Sequence, residues 1–361
     1  MSNKDCIPKK QYKNILVDAV MHLGDLIHAT SIVTLLKKLY PETRVSFLVE
    51  SGLVPLFDNV GGVEHVIPYH YKSGGDYVNV FRMGNMLKKY NFDLSISLDP
   101  RTRLAAMMWI AGIPTRVGSP SVFGWEPGVE KHFFTDFVDL GEWNCKEHPH
   151  AYNFQHLVKR FAKVDNIENF KPLFTPPSVE TLQYVDTLLE DIPKDSLKIA
   201  MCVKTVEQSR NWQPKRFAEL IRRVVDKHNA YFIIVGVKSD MDVVEQLEID
   251  GNVHVINAVG KTNLKQLNAL FNTVDFLINF DNGMGHFAAA SGCPTLTMFT
   301  NESPLRFTPL HEKTMVLKSS YDCKLKCDKK NKKSCGFKCV DAITVDDVMD
   351  KVEKMIDRGQ L

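Results

Sequence analysis

Apolar positions along this chain follow two alternating rhythms. Short, nearly unbroken apolar runs are followed by longer stretches in which apolar residues recur every three or four positions. The first kind reads as a buried strand and the second as a helix with one buried face. NILVDAV (Asn14–Val20) predicts a strand. The next stretch puts Leu26, Ile27, Thr30, Val33, Thr34 and Leu39 on one stripe and predicts a helix over Leu26–Leu39, stopped by Pro41. RVSFLVE (Arg44–Glu50) is a second strand and HVIPY (His65–Tyr69) a weaker one. Asn79–Tyr90 reads as a helix, FDLSISLD (Phe92–Asp99) as a strand, and Arg101–Ala111 as a helix closed by Gly112 and Pro114.

Asn169–Pro177 (NFKPLFTPP) carries three prolines and reads as a hinge, after which the rhythm restarts. Strands are predicted at Lys198–Val203, Tyr231–Val237, Val253–Ala258, Thr273–Phe280 and Thr295–Phe299. Helices are predicted at Pro214–Lys227, Asp240–Leu247, Leu264–Phe271 and His286–Ala290, with a last one at Val345–Ile356. Strand–helix alternation of this kind implies an α/β protein with mostly parallel sheets. The expected organisation is two Rossmann-like domains, 1–175 and 176–342, and a C-terminal helix, 343–361, packing back toward the first domain. If the carboxyl ends of both sets of strands line a central cleft, ligands bind there.

Composition excludes little and locates something. A net charge of +2, with 44% hydrophobic and 24% charged residues, is ordinary for a globular protein and gives no global field for nucleic acid. The polar start MSNKDCIPKKQYKN carries no secretory pattern, and no apolar run is long enough for a membrane span, so a cytoplasmic location is expected. Charge is uneven, however: Lys318–Lys338 holds eight lysines against Asp322 and Asp328. Four of the eight cysteines, Cys323, Cys327, Cys335 and Cys339, fall in that region with spacing C-x3-C-x7-C-x3-C. Two thiolate pairs suit a tetrahedral structural Zn or Fe, with reduced or disulfide-bonded cysteines the alternative.

Candidate chemistry sits at the turns that follow strands. Asp25, after the first strand, is either a helix cap or a carboxylate able to take a proton from a hydroxyl. In VKTVEQSRNWQPKRF (Val203–Phe217), Thr205, Ser209 and Arg210 before the helix starting at Pro214 fit a phosphate site or an ordinary polar loop. Asp240 is placed to cap a helix or to meet ribose hydroxyls. Gly260-Lys261-Thr262 resembles the end of a phosphate loop, but Val255 stands where that pattern needs glycine. The densest stretch is FDNGMGHFAAASGCP, in which Asp281, Asn282, Gly283 and His286 stand between a strand and a short alanine-rich helix. A helix N-terminus there offers N–H groups to a diphosphate, with His286 as a further donor.

Three motifs in order then resemble glycosyltransferase family 9, the ADP-heptose:lipopolysaccharide heptosyltransferases: GDLIHATSIVTLLKKLYP, RNWQPKRFAELI, and VGKTNLKQLNALFNTVDFLINFDNGMGHFAAASGCPTLTMFT. The resemblance runs from about Asn14 to Ile356. It implies a GT-B fold with acceptor on the first domain and nucleotide sugar on the second. It implies Asp25 as general base, Thr205 and Arg210 on the donor phosphates, Asp240 on the ribose and Thr262 beside the adenine. Asp281, Gly283 and His286 would frame the diphosphate, with Asp281 capping the helix and orienting donors. Asn282 replaces the family's usual Ser or Thr, and Arg210 its usual Lys. The implied reaction is inverting transfer of heptose from ADP-heptose to a lipopolysaccharide inner-core acceptor, with no cofactor or metal in the chemistry. Arg101, Arg103 and Arg116 would suit an anionic acceptor bearing Kdo or phosphate. A peripheral place at the inner membrane face fits such an acceptor. The branch of the family that modifies autotransporters binds iron through cysteines. The alternatives are another nucleotide sugar or a protein acceptor, and, in a different class, a non-catalytic binding protein using the basic cysteine-rich tail.

Overall fold

The computed structural model describes residues 8–70, 77–99, 101–207, 210–248, 254–322 and 335–359. The chain forms two compact units that divide between Leu173 and Phe174, inside the proline-rich stretch. The first unit is built on strands β1 (Asn14–Asp18), β2 (Arg44–Glu50), β3 (Val63–Tyr69), β4 (Leu94–Ser97), β5 (Thr115–Gly118) and β6 (Asp136–Phe137). All pair in parallel, in the order β3-β2-β1-β4-β5-β6. The second unit repeats the pattern with β7 (Leu197–Cys202), β8 (Ala230–Val235), β9 (Val255–Asn257), β10 (Phe276–Phe280), β11 (Thr295–Phe299) and β12 (Met315–Lys318). Its order is β12-β11-β10-β7-β8-β9, again parallel. Parallel strands need crossover connections, and the intervening helices supply them, which is why the central strands are apolar on both faces.

The apolar pattern marks the central strands and leaves β5, β6 and β12 unmarked. The reason is local: β6 is two exposed residues, and β5 is four residues interrupted by Arg116. The helix expected over Leu26–Leu39 is two helices, Leu23–Thr30 and Ile32–Leu39. Ser31 makes the break. Its hydroxyl donates to the His28 carbonyl at 2.7 Å and accepts from Gln155 Nε2 at 3.0 Å. A side chain inserted into the backbone ladder is a known cause of such kinks.

Each unit has its own core. In the first, Leu16, Leu48 and Ile67 of the sheet pack with Leu87, Leu104, Met107 and Met108 of the covering helices. In the second, Ile199, Ile234 and Ile278 pack with Phe217, Leu220 and Ile221 of the helix Pro214–Lys227. The C-terminal helix Val345–Gly359, expected to turn toward the first domain, places Val348, Met349, Val352 and Met355 in this second core. Its amphipathic stripe is matched by the helix Pro214–Lys227 beside it, and His228 and Lys227 reach its Glu353 at 3.1 and 3.0 Å. Trp212 locks the approach to that helix. Its ring stands edge-on to Phe217 and Phe280, and its Nε1–H donates to the Ile343 carbonyl at 2.9 Å. Trp212→Ala is expected to cost about 3–5 kcal/mol of stability. Trp212→Phe, which loses the N–H and one ring of the indole but keeps an aromatic side chain, should cost less, about 1–3 kcal/mol. Urea titrations of the two variants measure both values.

Candidate active site

Each sheet reverses its strand order once, between β1 and β4 in the first unit and between β7 and β10 in the second. Loops leaving two such neighbours diverge and open a crevice beyond their carboxyl ends. Asp25 and Arg101 follow the strands of the first reversal and Arg210, Asp281, Asn282 and His286 those of the second, while Arg116, Asp240 and Thr262 lie at neighbouring strands.

In the first unit, β1 ends on Asp18 and β4 on Ser97. Asp18 is fully buried, and its Oδ2 accepts from Ser97 Oγ at 3.0 Å while Oδ1 has no hydrogen-bond partner among the described residues. Burial first, and then the neighbouring Asp99 charge, push its carboxyl well above the usual range, against the opposing pull of Ser97 and Arg101. A neutral acid fits that environment better than an ion with an orphaned oxygen. Arg101 closes the cluster: its Nε donates to both Asp99 oxygens at 2.7 and 2.8 Å, and its Nη2 reaches Asp99 and the Val20 carbonyl. Arg101 thus ties the loop after β1 to the loop after β4.

Asp25 lies past this cluster, as the third residue of the helix Leu23–Thr30. It is therefore not the cap; His22 holds that position without a side-chain bond. Instead Asp25 Oδ1 stands 2.8 Å from Nδ1 of His150, the first residue of the helix His150–Ala162. A carboxylate only accepts, so Nδ1–H is the donor. The acid remains 27% exposed while the imidazole is buried, and the helix N-terminus favours a negative charge at Asp25. The sequence reading passed over His150. The apolar stripe of HAYNFQHLVKRFA behind Pro149 carries the helix, but nothing in that stripe marks which residue faces Asp25. Of the other candidates, Arg103 is half-buried on the helix Thr102–Ile110. Arg116 donates from Nε to the Phe133 carbonyl at 2.7 Å and from Nη1 to the Ile113 carbonyl at 2.6 Å. Its guanidinium braces the chain around β5, and burial pulls its pKa down.

In the second unit, Arg210 joins the loop after β7 to the end of β10. Its Nη1 donates to the Asp281 carbonyl and to Asp281 Oδ2, both at 2.9 Å, and its Nη2 to Glu302 Oε1 at 3.0 Å. Asp281 is thereby an acceptor for Arg210, and the expectation that it caps the following helix is corrected. That helix is Gly283–Ala290, longer than the expected His286–Ala290, and its cap is Asn282. Asn282 Oδ1 accepts from the N–H groups of Met284 and Gly285 at 3.0 and 3.3 Å. Two of the first-turn donors expected to meet a ligand are thus engaged by the cap. His286 is buried at the fourth helical position rather than opening the helix.

Gly285 serves packing. A Cβ there would stand 2.6 Å from Asn279 Nδ2 and 3.1 Å from Pro309 Cγ. Thr205 is turned inward: its N–H donates to Asn211 Oδ1 at 2.7 Å and its hydroxyl to the Glu207 carbonyl at 2.9 Å. At the neighbouring strand ends, Asp240 Oδ2 accepts from the Val237 N–H at 3.0 Å. The Gly260 N–H donates to the Gly236 carbonyl at 3.0 Å, so the turns carrying Asp240 and Thr262 are brought together. Asn263 and Gln266 cap the helix that follows Thr262.

Cys323, Cys327 and Ser209 lie outside the described residues. Cys335 is half-buried and Cys339 buried, and among the described residues no three His, Cys, Asp or Glu side chains group as a metal site. Among the described residues, too, no helix is long and apolar enough to cross a membrane.

Two parallel sheets with polar clusters at both switch points define a doubly wound α/β class. Comparison with known proteins makes it specific. Residues 80–338 match the model of glycosyltransferase family 9 (heptosyltransferase), and the chain belongs to that family. It is 24% identical over 307 residues to the lipopolysaccharide core heptosyltransferase OpsX of Haemophilus influenzae, covering 82% of each chain. Its fold matches the glycosyl transferase family 9 structure from Veillonella parvula with a TM-score of 0.84 at 19% identity, over 98% of this chain and 99% of that one. It also matches Escherichia coli ADP-heptose LPS heptosyltransferase II with a TM-score of 0.76 at 18% identity, over 97% and 100% of the two chains. The protein is a glycosyltransferase of GT-B type, and the reading as a non-catalytic binding protein is set aside.

Two measurements follow. Asn282→Ala removes the cap of the helix Gly283–Ala290 and should lower stability by about 1 kcal/mol in chemical denaturation. For Asp18, a raised carboxyl pKa means the folded state binds the proton more tightly than the unfolded chain. Its contribution to stability is then most favourable at acid pH and falls as pH rises from the unfolded value through the folded one. Asp18→Asn should therefore gain stability relative to the unsubstituted protein between pH 5 and pH 8, as melting curves across pH will show.

Proposed function

We propose that the protein is an inverting heptosyltransferase, moving a heptose from ADP-heptose to an inner-core sugar of lipopolysaccharide. The observation that carries this reading is Asp25, an accessible carboxylate at the switch point of the first unit, held by a buried imidazole. The names of the family and of its similar members supply the sugar and the acceptor class.

In this reading the acceptor hydroxyl gives its proton to Asp25 as its oxygen bonds to the anomeric carbon. The bond from that carbon to the diphosphate oxygen breaks on the opposite face, and ADP leaves with the electron pair. Inversion follows from the opposed faces, and the transition state is oxocarbenium-like. Negative charge grows on the diphosphate, and preorganised donors are most useful where charge develops. Arg210 suits that role. Asp281 and Glu302 take three of its five N–H groups, which leaves Nε–H and one Nη2–H for phosphate oxygens. The helix starting at Gly283 and the side chain of His286 add to the same field. Asp240 takes the ribose hydroxyls and Thr262 borders the adenine, while Thr205 braces the loop that carries Arg210. Arg101 and Arg103 lie on the acceptor side at the β4 end. The chemistry needs no metal ion, and the enzyme works at the inner face of the membrane.

Asp25→Asn tests the reading. With ADP-heptose and a Kdo-bearing lipid A acceptor, kcat should fall about 10³-fold while the donor KM stays within about twofold. Near-normal transfer by this variant would overturn the assignment of the base. Failure of ADP-heptose to raise the melting temperature in a panel of nucleotide sugars would overturn the donor.

A further inference from the structure

A base that takes a proton during displacement at carbon must hold one orientation, because small misalignments cost large factors in rate. Asp25 is on a short, two-turn helix interrupted at Ser31, and its carboxylate is partly in solvent. Something outside that helix has to fix it. We propose that His150 is the positioning residue for Asp25, its Nδ1–H holding the carboxylate in one rotamer toward the acceptor hydroxyl. This inference rests on the reading of Asp25 as the general base.

Three observations carry it. The first is the contact itself, 2.8 Å from Nδ1 to Oδ1, spanning 125 residues of sequence. The second is its asymmetry. The imidazole is 4% exposed and the carboxylate 27%, so the donor is fixed in the interior and the acceptor reaches outward from it. An ion pair serving stability alone gains little at such an exposed acid. The third is the setting of the ring. Phe123 stands edge-on to it at 5.2 Å, Phe154 lies at 6.0 Å and His28 at 6.2 Å, and these three rings bound the space in which the imidazole turns.

The chain that delivers His150 is itself anchored. Trp143 is stacked between His148 at 3.8 Å and His156 at 4.3 Å. Its Nε1–H donates to Asn153 Oδ1 at 2.8 Å, and Asn153 Nδ2 donates to the Cys145 carbonyl at 3.0 Å. The loop before His150 is thus bonded to the second turn of the helix that His150 begins. Pro149 at the cap fixes the backbone immediately before the ring.

In the proposed step the proton passes from the acceptor oxygen to Asp25, and His150 keeps its own. Its Nδ1–H bonds the ionised carboxylate better than the neutral acid, besides aligning it. Among the described residues, His28, on the helix that carries Asp25, is a further titratable side chain whose ring lies near it, at 6.2 Å.

The test compares His150→Asn, whose side-chain N–H lies near the Nδ1 position, with His150→Phe, which fills the space without a donor. With ADP-heptose and the Kdo-bearing acceptor, His150→Phe should lose about 10²-fold in kcat with donor KM unchanged. The acid limb of its kcat/KM profile should move to higher pH. His150→Asn should recover kcat to within about tenfold and return the acid limb toward its original place. If His150→Phe does not fold, His150→Gln, which carries its amide away from the Nδ1 position, takes its place and should show the same loss. Equal loss in the Asn and Phe variants, or an unmoved acid limb, would overturn the inference. Asp25→Asn separates the two levels. If it transfers normally, the base assignment fails. If it is inactive while His150→Phe keeps the original kcat and pH profile, the role of His150 alone fails. The double variant should be no slower than Asp25→Asn.

Discussion

Two parallel sheets, each reversing its strand order once, decide where chemistry is available in this molecule. Neighbouring loops at the reversal leave in opposite directions, so backbone and side-chain polar groups meet there without strands to satisfy them. Both units fill that place with one arginine that bridges the two loops. Arg101 holds Asp99 and the Val20 carbonyl, and Arg210 holds Asp281 and Glu302. A rigid, five-donor fork suits the task better than a lysine would, because one side chain satisfies acceptors on separate segments. It also gives a physical sense to arginine at position 210, where the family pattern has lysine.

The two clusters differ in how they treat negative charge. At the β1 end, Asp18 is buried deeply enough to be favoured as a neutral acid, and Asp99 takes the arginine. Asp25, farther out on its helix, keeps access to solvent and pairs with His150. At the β10 end, Asp281 is neutralised by Arg210, and the asparagine beside it does the capping. Arg210 is shared between two carboxylates there, Asp281 and Glu302, whereas Arg101 pairs with Asp99.

The strand–helix rhythm made the fold class, the proline-rich division and the candidate turns legible, because central parallel strands are apolar on both faces. Edge strands escaped it because they are short and half-solvated, as β6 shows. The place of Asp25 at a strand-to-helix turn was legible from the apolar pattern around it. His150 was not, because its contact is made across 125 residues and depends on how two helices are seated. The division of labour between Asp281 and Asn282 was hidden for a related reason. Adjacent polar residues at a strand end point to opposite sides, and only the packed structure shows which of them faces the backbone N–H groups.

Gly285 carries a consequence for variation in the family's chemistry. Its missing Cβ is what lets Asn279 of β10 lie against the helix, where Asn279 also accepts from Thr297 Oγ1 at 3.0 Å. A side chain at 285 requires Asn279 to shift or shrink, and a smaller residue at 279 would leave Thr297 Oγ1 with Thr295 Oγ1, at 3.1 Å, as its remaining partner. Three positions on three elements are therefore coupled in what they can accept.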